Sequence, residues 1–208
     1  PQEDPVRTAA LVVELVSSRI PARFDLDPLL DIQVLCPMHR GDAGAQSLGA
    51  RLQHALNPFG RELRRGSRVF REGDRVMQLR NDYDREIYNG DLGRITRVAP
   101  EGNLLHVRFE GREVPCLDED LDCLMPAYAV TVHKAQGREY PAVVVPLVTQ
   151  HYVLLQRNLL YTAVTRGKRL VVLVGSRRAL SLAVHNETIR ARFGALAERL
   201  RHSGGMDE

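Results

Sequence analysis

Ala127-Tyr-Ala-Val-Thr-Val-His-Lys-Ala-Gln-Gly-Arg-Glu-Tyr140, followed directly by Pro141-Ala-Val-Val-Val-Pro-Leu-Val148, is the stretch on which the reading of this chain turns. Residues 127–132 predict a strand that runs straight into a polar loop at 133–140. Residues 142–148 form an almost unbroken apolar, β-branched run, the mark of a strand buried on both faces of a parallel sheet. Such a sheet needs helical crossovers. The segments downstream supply them, with a helix predicted over 154–165, another buried strand over 169–174 and a helix over 177–183.

Working toward the amino terminus, Val6, Ala9, Ala10, Val13, Leu15 and Val16 come close to one face, which predicts a helix over 6–18 stopped by Pro21. Residues 31–36 read as a short strand ending at Pro37. A glycine turn follows at 41–44, and then a helix over 45–56 with Leu48, Leu52 and Leu56 at one-turn spacing. This is a second α/β unit.

Between the two units the texture changes. Arg61, Arg64, Arg65, Arg68, Arg71, Arg75 and Arg80 crowd together among Glu62, Glu72 and Asp74, either as a solvated face or as a surface for a nucleic-acid backbone. Short strands are predicted over 74–79, 93–98, 104–109 and 112–117, separated by Asn89-Gly-Asp91, Pro100-Glu-Gly-Asn103 and Glu110-Gly111. Strands this short and closely spaced suggest a small all-β barrel of SH3 size. The expected fold class is therefore α/β: a parallel-sheet domain in two portions, 1–80 and 126–202, interrupted by a β-rich insert at 81–125. A last helix over 187–201, with Ile189, Phe193, Leu196 and Leu200 on one stripe, is expected to pack into the core, and a tail at 203–208 to be disordered.

Composition bounds the function less tightly. A net charge of +3 from 29 basic and 26 acidic residues neither demands nor excludes a polyanionic partner. Lys134 and Lys168 are the only lysines, an arginine excess that a coding bias explains, yet both fall inside the segments that carry the chemistry. Cys36, Cys116 and Cys123 form no CxxC pair, which fits a reducing, cytoplasmic setting. No run approaches the ~18 apolar residues that span a bilayer. The first residues, Pro1-Gln-Glu-Asp-Pro5, lack both a signal-peptide pattern and an initiating Met, which suggests a piece of a longer chain. His39, His54, His106, His151, His185 and His202 have no ligand spacing, so no metal site is expected.

Three segments carry chemistry. Leu35-Cys-Pro-Met-His-Arg-Gly41 ends a strand, where ligands of open α/β sheets gather, and serves equally as an ordinary strand-to-helix turn or as a seat for Arg40 near a phosphate. The loop holding Thr131, His133, Lys134, Gln136 and Gly137 is dense in donors, and Gly137 permits close backbone approach. Taken alone, His133 also fits a structural histidine. Asn158-Leu-Leu-Tyr-Thr-Ala-Val-Thr-Arg-Gly-Lys168 predicts a helix ending at Arg166-Gly167. An arginine there either meets the helix dipole or acts as an arginine finger on a transferring phosphoryl group. Tyr128 and Tyr161 are read as packing residues rather than base-stacking platforms.

The run Thr131-Val-His-Lys-Ala-Gln-Gly-Arg-Glu139 resembles helicase motif V, and Tyr161-Thr-Ala-Val-Thr-Arg166 resembles motif VI, both in the form found in RecD-like superfamily-one DNA helicases. Pro37-Met-His-Arg-Gly41 resembles the motif IV region. Gly73-Asp-Arg-Val-Met-Gln78, Asn81-Asp-Tyr83 and Asn89-Gly-Asp-Leu-Gly93 resemble the linker into that family's SH3-like insert. The resemblance implies a second RecA-like domain that carries such an insert. It implies Arg166, and with it Arg40, as catalytic arginines on the γ-phosphate, and Gly137 and Glu139 near the nucleotide. It implies Thr131, His133, Lys134 and Asn81 as contacts to single-stranded DNA, and translocation from five-prime to three-prime.

One departure is large. No G-x-x-x-x-G-K-[ST] loop occurs, and the only Asp-Glu run near an apolar strand, Asp118-Glu-Asp120, lies in the insert. ATP and Mg2+ are therefore expected to bind mainly on an N-terminal RecA-like domain of the same parent chain, and this portion alone to be inactive as an ATPase. A rival reading makes the chain a stand-alone nucleic-acid or protein binding module with no ATP-linked role.

Overall fold

The computed structural model describes residues 3–186. Helix α1 (Pro5–Glu14) is capped by Asp4, whose carboxylate accepts from the main-chain N–H groups of Val6 and Arg7. Pro21 does not stop this helix. A π turn at Leu15–Arg19 carries the chain into α2 (Ile20–Phe24), placing Pro21 in a first turn, where its missing N–H leaves nothing unpaired. The helix ends instead at Asp25, which adopts a left-handed conformation (φ 52°).

Strand β1 (Ile32–Cys36) and helix α3 (Ala45–Leu56) follow as the sequence predicts. Then comes a hairpin that the charge pattern hides, β2 (Glu62–Arg65) and β3 (Arg68–Arg71), in which Leu63 and Phe70 alone reach the insert's core. The rest of the insert is β4 (Arg75–Gln78), β5 (Leu92–Ala99), β6 (Leu104–Phe109), β7 (Arg112–Leu117), a short α4 (Glu119–Asp122) and β8 (Leu124–Pro126). These five strands form an antiparallel sheet in the order β7-β6-β5-β4-β8. The sheet starts before residue 81 and ends just after 125, because β4 pairs with both β5 and β8. Its entering and leaving strands are thus neighbours, which lets the insert sit within a connection of another domain.

Strand β9 (Ala129–Thr131), β10 (Tyr140–Leu147), α5 (Arg157–Val164), β11 (Gly167–Gly175) and α6 (Arg177–His185) complete the α/β lobe. Its sheet is parallel, in the order β11-β10-β1-β9, so segments before and after the insert share one sheet. The long apolar run of β10 is buried on both sides. Ala142 and Val144 meet α1 and α3, while Val143, Val145 and Leu147 meet the α5–α6 layer. The predicted helix over 154–165 is a 3-10 turn (Thr149–Leu154) followed by α5. The helix and tail predicted over 187–208 lie outside the described residues.

Asp74 joins the lobe to the insert. It is fully buried and accepts hydrogen bonds from Gln53 Nε2 (2.5 Å), Asn57 Nδ2 (2.7 Å), the Arg71 N–H (2.7 Å) and the Tyr128 hydroxyl (2.7 Å). Donors from α3, the hairpin and the approach to β9 therefore converge on one carboxylate, which offsets the cost of burying its charge. Tyr128 is a packing residue as expected, whereas Tyr161 is not: it stands 68% exposed on α5.

Candidate functional site

The candidate residues fall on two opposite edges of the parallel sheet. Cys36 of β1 lies level with Thr131 of β9, so the loops leaving both strands open on the same carboxyl-end edge. The loop after β1 is shaped by glycine. A side chain on Gly44 would stand 2.2 Å from the Arg40 carbonyl, and Gly41 holds φ at +93°. Two carbonyls of this loop, from Met38 and His39, accept from the N–H groups of Ala45 and Gln46 and so close the start of α3. Arg40 is left exposed at the lip.

Past Thr131 the chain makes a 3-10 turn (Val132–Ala135) anchored by its two buried apolar ends, so that His133 and Lys134 between them point to solvent. His39, Arg40, Thr131 and His133 line one open groove of ≈ 350 Å³. Every side chain of that set can donate or accept a hydrogen bond, as a nucleic-acid backbone requires.

The other edge begins where the connection from β9 reaches β10. Gly137 holds φ at +82°, and nothing lies within 4 Å of the place a side chain would occupy. Glu139 is exposed and paired with Lys168 at 3.1 Å. Arg166 follows the end of α5 and is half-buried. Its guanidinium donates to the Thr162 carbonyl (3.2 Å), the Arg138 carbonyl (3.2 Å) and the Thr165 hydroxyl (3.3 Å). Each of these acceptors is neutral. Among the described residues no carboxylate pairs with Arg166, so its charge is available to an incoming anion.

Arg40 and Arg166 stand at opposite ends of the strands within this lobe. Val34 lies level with Val144, and Gly167 with Tyr140. The end of β1 and the start of β11 are therefore roughly six residues of strand apart, on the order of 20 Å at about 3.3 Å per residue. Arg40 belongs with Thr131 and His133.

Asn81 lies on the loop between β4 and β5, outside the groove. Its Oδ1 accepts from the Asn89 N–H (2.8 Å) and its Nδ2 donates to the Tyr83 hydroxyl (3.0 Å), so it holds the loop's shape. The arginine run at 61–80 is mostly committed to structure. Arg64 and Arg71 meet Glu62, Arg65 meets Asp122, Arg68 donates to the Asp122 and Leu124 carbonyls, and Arg75 is buried.

Sequence reasoning passed over Arg138. Its side chain is bonded to the Asp91 carboxylate of the insert while its carbonyl accepts from Arg166. Nothing in the sequence pairs positions 47 apart, so only the fold could reveal this contact.

Two family models match the chain. The ATP-dependent RecD-like DNA helicase SH3 domain matches residues 48–109, and the UvrD-like helicase C-terminal domain matches residues 126–174. Among curated proteins, the chain is 40% identical over 170 residues to the ATP-dependent RecD2 DNA helicase of Deinococcus radiodurans, covering 82% of this chain and 23% of that protein. It is 31% identical over 209 residues to the RecBCD enzyme subunit RecD of Mycolicibacterium smegmatis, covering 97% of this chain and 36% of that one. The chain thus spans roughly a quarter to a third of the curated relatives it matches. Among solved structures, Pif1 helicase from Bacteroides in complex with ADP-AlF3 and ssDNA has the same fold, with a TM-score of 0.51 at 18% identity over 98% of this chain and 55% of that one. No described helix is long and apolar enough to cross a membrane. With a RecA-like parallel sheet, an SH3-like insert in its connection and these two matches in order along it, the chain belongs to the RecD-like superfamily-one DNA helicases, whose second RecA-like domain and insert it carries.

Proposed function

We propose that this chain is the C-terminal motor portion of an ATP-dependent DNA helicase, working with an N-terminal RecA-like domain that holds the nucleotide. One observation carries the reading: the short connection from β9 to β10 crosses from one edge of the sheet to the other. Thr131 and His133 stand at its start, in the groove with Arg40. Gly137 and Glu139 stand at its end, beside the segment that holds Arg166.

In this reading the groove grips single-stranded DNA through its phosphates, with Thr131, His133, Lys134 and Arg40 as donors. Arg166 releases its neutral acceptors and stabilises charge on the γ-phosphoryl group, a role worth about a thousandfold or more in turnover. The open, left-handed position of Gly137 leaves room for the nucleotide to approach the main chain. Among the described residues no cluster of three metal-ligating side chains occurs, so Mg2+ would be held by the partner domain and the nucleotide itself. ATP supplies the driving reaction when bound between the two domains. Translocation from five-prime to three-prime is the polarity proposed for this branch.

The test is Arg166→Ala in the enzyme carrying both RecA-like domains. DNA-stimulated ATP hydrolysis should collapse while oligonucleotide binding persists. Turnover at the parental rate removes the arginine-finger assignment.

A further inference from the structure

The insert's sheet carries a row of arginines that neither edge of the parallel sheet uses. Arg75 on β4 lies directly opposite Arg94 on β5, and Arg94 lies directly opposite Arg108 on β6. Directly opposed residues of an antiparallel sheet share a face, with Cβ atoms about 4.5–5.5 Å apart. The alternate residues Val76, Ile95 and Val107 fill the insert's core, so the arginines stand on its other face.

Like charges directly opposite one another destabilise a sheet, and here two such pairs occur in succession. The carboxylate that continues the row, Glu113 opposite Arg108, lies 3.6 Å from the Arg108 guanidinium. It is shared, accepting from the Thr96 hydroxyl at 3.0 Å and lying 3.4 Å from His106 Nδ1. Arg94 is exposed and has no hydrogen bond or ion pair among the described residues. Arg75 anchors the inner end: its Nη1 donates to the Leu29 carbonyl at 3.0 Å and its guanidinium lies 5.6 Å over the Tyr140 ring.

The three arginines line a pocket of ≈ 250 Å³ together with Leu29, Leu30 and the main chain of Gly73 and Gly93. Those leucines precede β1, so the pocket lies away from the carboxyl-end groove of Arg40 and His133.

We propose that the exposed outer part of this row, Arg94 and Arg108, is a second nucleic-acid site, which takes phosphate groups of a polynucleotide backbone, with the buried Arg75 fixing its inner end. Guanidinium forks at cross-strand spacing match phosphate oxygens that bridge neighbouring donors. The row lies on a sheet face between paired strands, with no free strand edge for a peptide main chain to join. An oxyanion chain is therefore the partner it fits, and the bound phosphates offset the repulsion along the row. The inference does not depend on Arg166 or on ATP.

The test uses this chain and a fluorescein-labelled oligothymidylate, with binding followed by anisotropy across a salt series. Arg94→Gln with Arg108→Gln, both exposed, should weaken binding and lower the salt slope by about 1.4, since each of the two phosphate contacts removed contributes about 0.7 in a single strand. The melting temperature of that variant should match or exceed the parent's, because like charges have been removed. Unchanged affinity and slope overturn the proposal, as does a parent chain that fails to bind at low salt. Displacement by poly-glutamate as effective as by unlabelled oligonucleotide overturns the nucleic-acid assignment. Arg40→Gln separates the two sites. Loss there with a silent arginine row sinks this inference and spares the groove, whereas the reverse result sinks the groove's role and spares the row.

Discussion

Arg166 donates through Nη1 to the main-chain oxygen of Arg138, 3.2 Å away, while the side chain of Arg138 is bonded to the Asp91 carboxylate of the insert. The segment proposed to sense the nucleotide is thus tied through a single residue to the loop between β4 and β5. Asp91 also accepts from the Tyr88 N–H at 2.8 Å, so the carboxylate shapes the loop and holds Arg138 at once.

A double-mutant cycle measures that tie. Arg138 and Asp91 side chains are 31% and 19% exposed, too buried for the pair to be fully screened and too exposed for it to be worth several kcal/mol. Urea denaturation of Arg138→Ala, Asp91→Ala and the double variant should return a coupling on the order of 1 kcal/mol. Additive single effects would mean that the two groups do not hold each other in solution.

Lysine should not replace Arg166. Once released from the Thr162 and Arg138 carbonyls, a planar guanidinium can offer two parallel donors to phosphoryl oxygens, whereas an ammonium is a compact point charge without that fork. In the enzyme with both RecA-like domains, Arg166→Lys should lower ATP turnover by about a hundredfold or more, near the alanine value. A lysine variant within a few-fold of the parent would show that only charge matters there.

The fold was legible where burial is two-sided or strictly alternating. The run at 142–148 announces a parallel core strand, 104–109 alternates, and the turn residues at 100–103 and 110–111 bracket 104–109 and 112–117 closely enough to give both strands of that hairpin their observed bounds. The hairpin at β2 and β3 was not legible, because only Leu63 and Phe70 face the core and the intervening arginines read as a charge run. Pro21 misled for a local reason: a π turn absorbs it. The site was legible as segments and not as edges. Thr131 and Gly137 lie close in sequence and belong to different faces, a fact that depends on which strand ends are level.

Asp74 should be the most costly polar residue to remove. Four donors converge on it in the buried junction between the lobe and the insert, and truncation orphans all of them. Asp74→Ala should cost about 3 kcal/mol or more, since each buried donor left unpaired costs roughly 1–3 kcal/mol and the losses overlap. Tyr128→Phe removes one of those donors and should cost less, about 1–2 kcal/mol. Burial, with Asp74 beside it, holds the Tyr128 hydroxyl well above the usual tyrosine range, so the effect should persist into mild alkali. Equal costs for the two variants, by chemical denaturation, would contradict the hub.

His151 should make the lobe lose stability in acid. It is 3% exposed in the turn before α5, and its Nδ1 has no partner among the described residues. Burial pushes its pKa down from 6.5 to about 4, so the folded protein keeps it neutral where the unfolded chain would protonate it. Between those values the unfolded state binds more protons, and stability must rise with pH across that window and fall as pH drops through it. The loss between pH 7.5 and pH 5 should be about 2 kcal/mol from this residue, read as a lower urea midpoint at the acid pH. His151→Phe keeps the apolar volume and removes the proton site, so its midpoint should stay nearly level over the same interval. A parent and variant that lose stability in parallel would place the acid sensitivity on some other group.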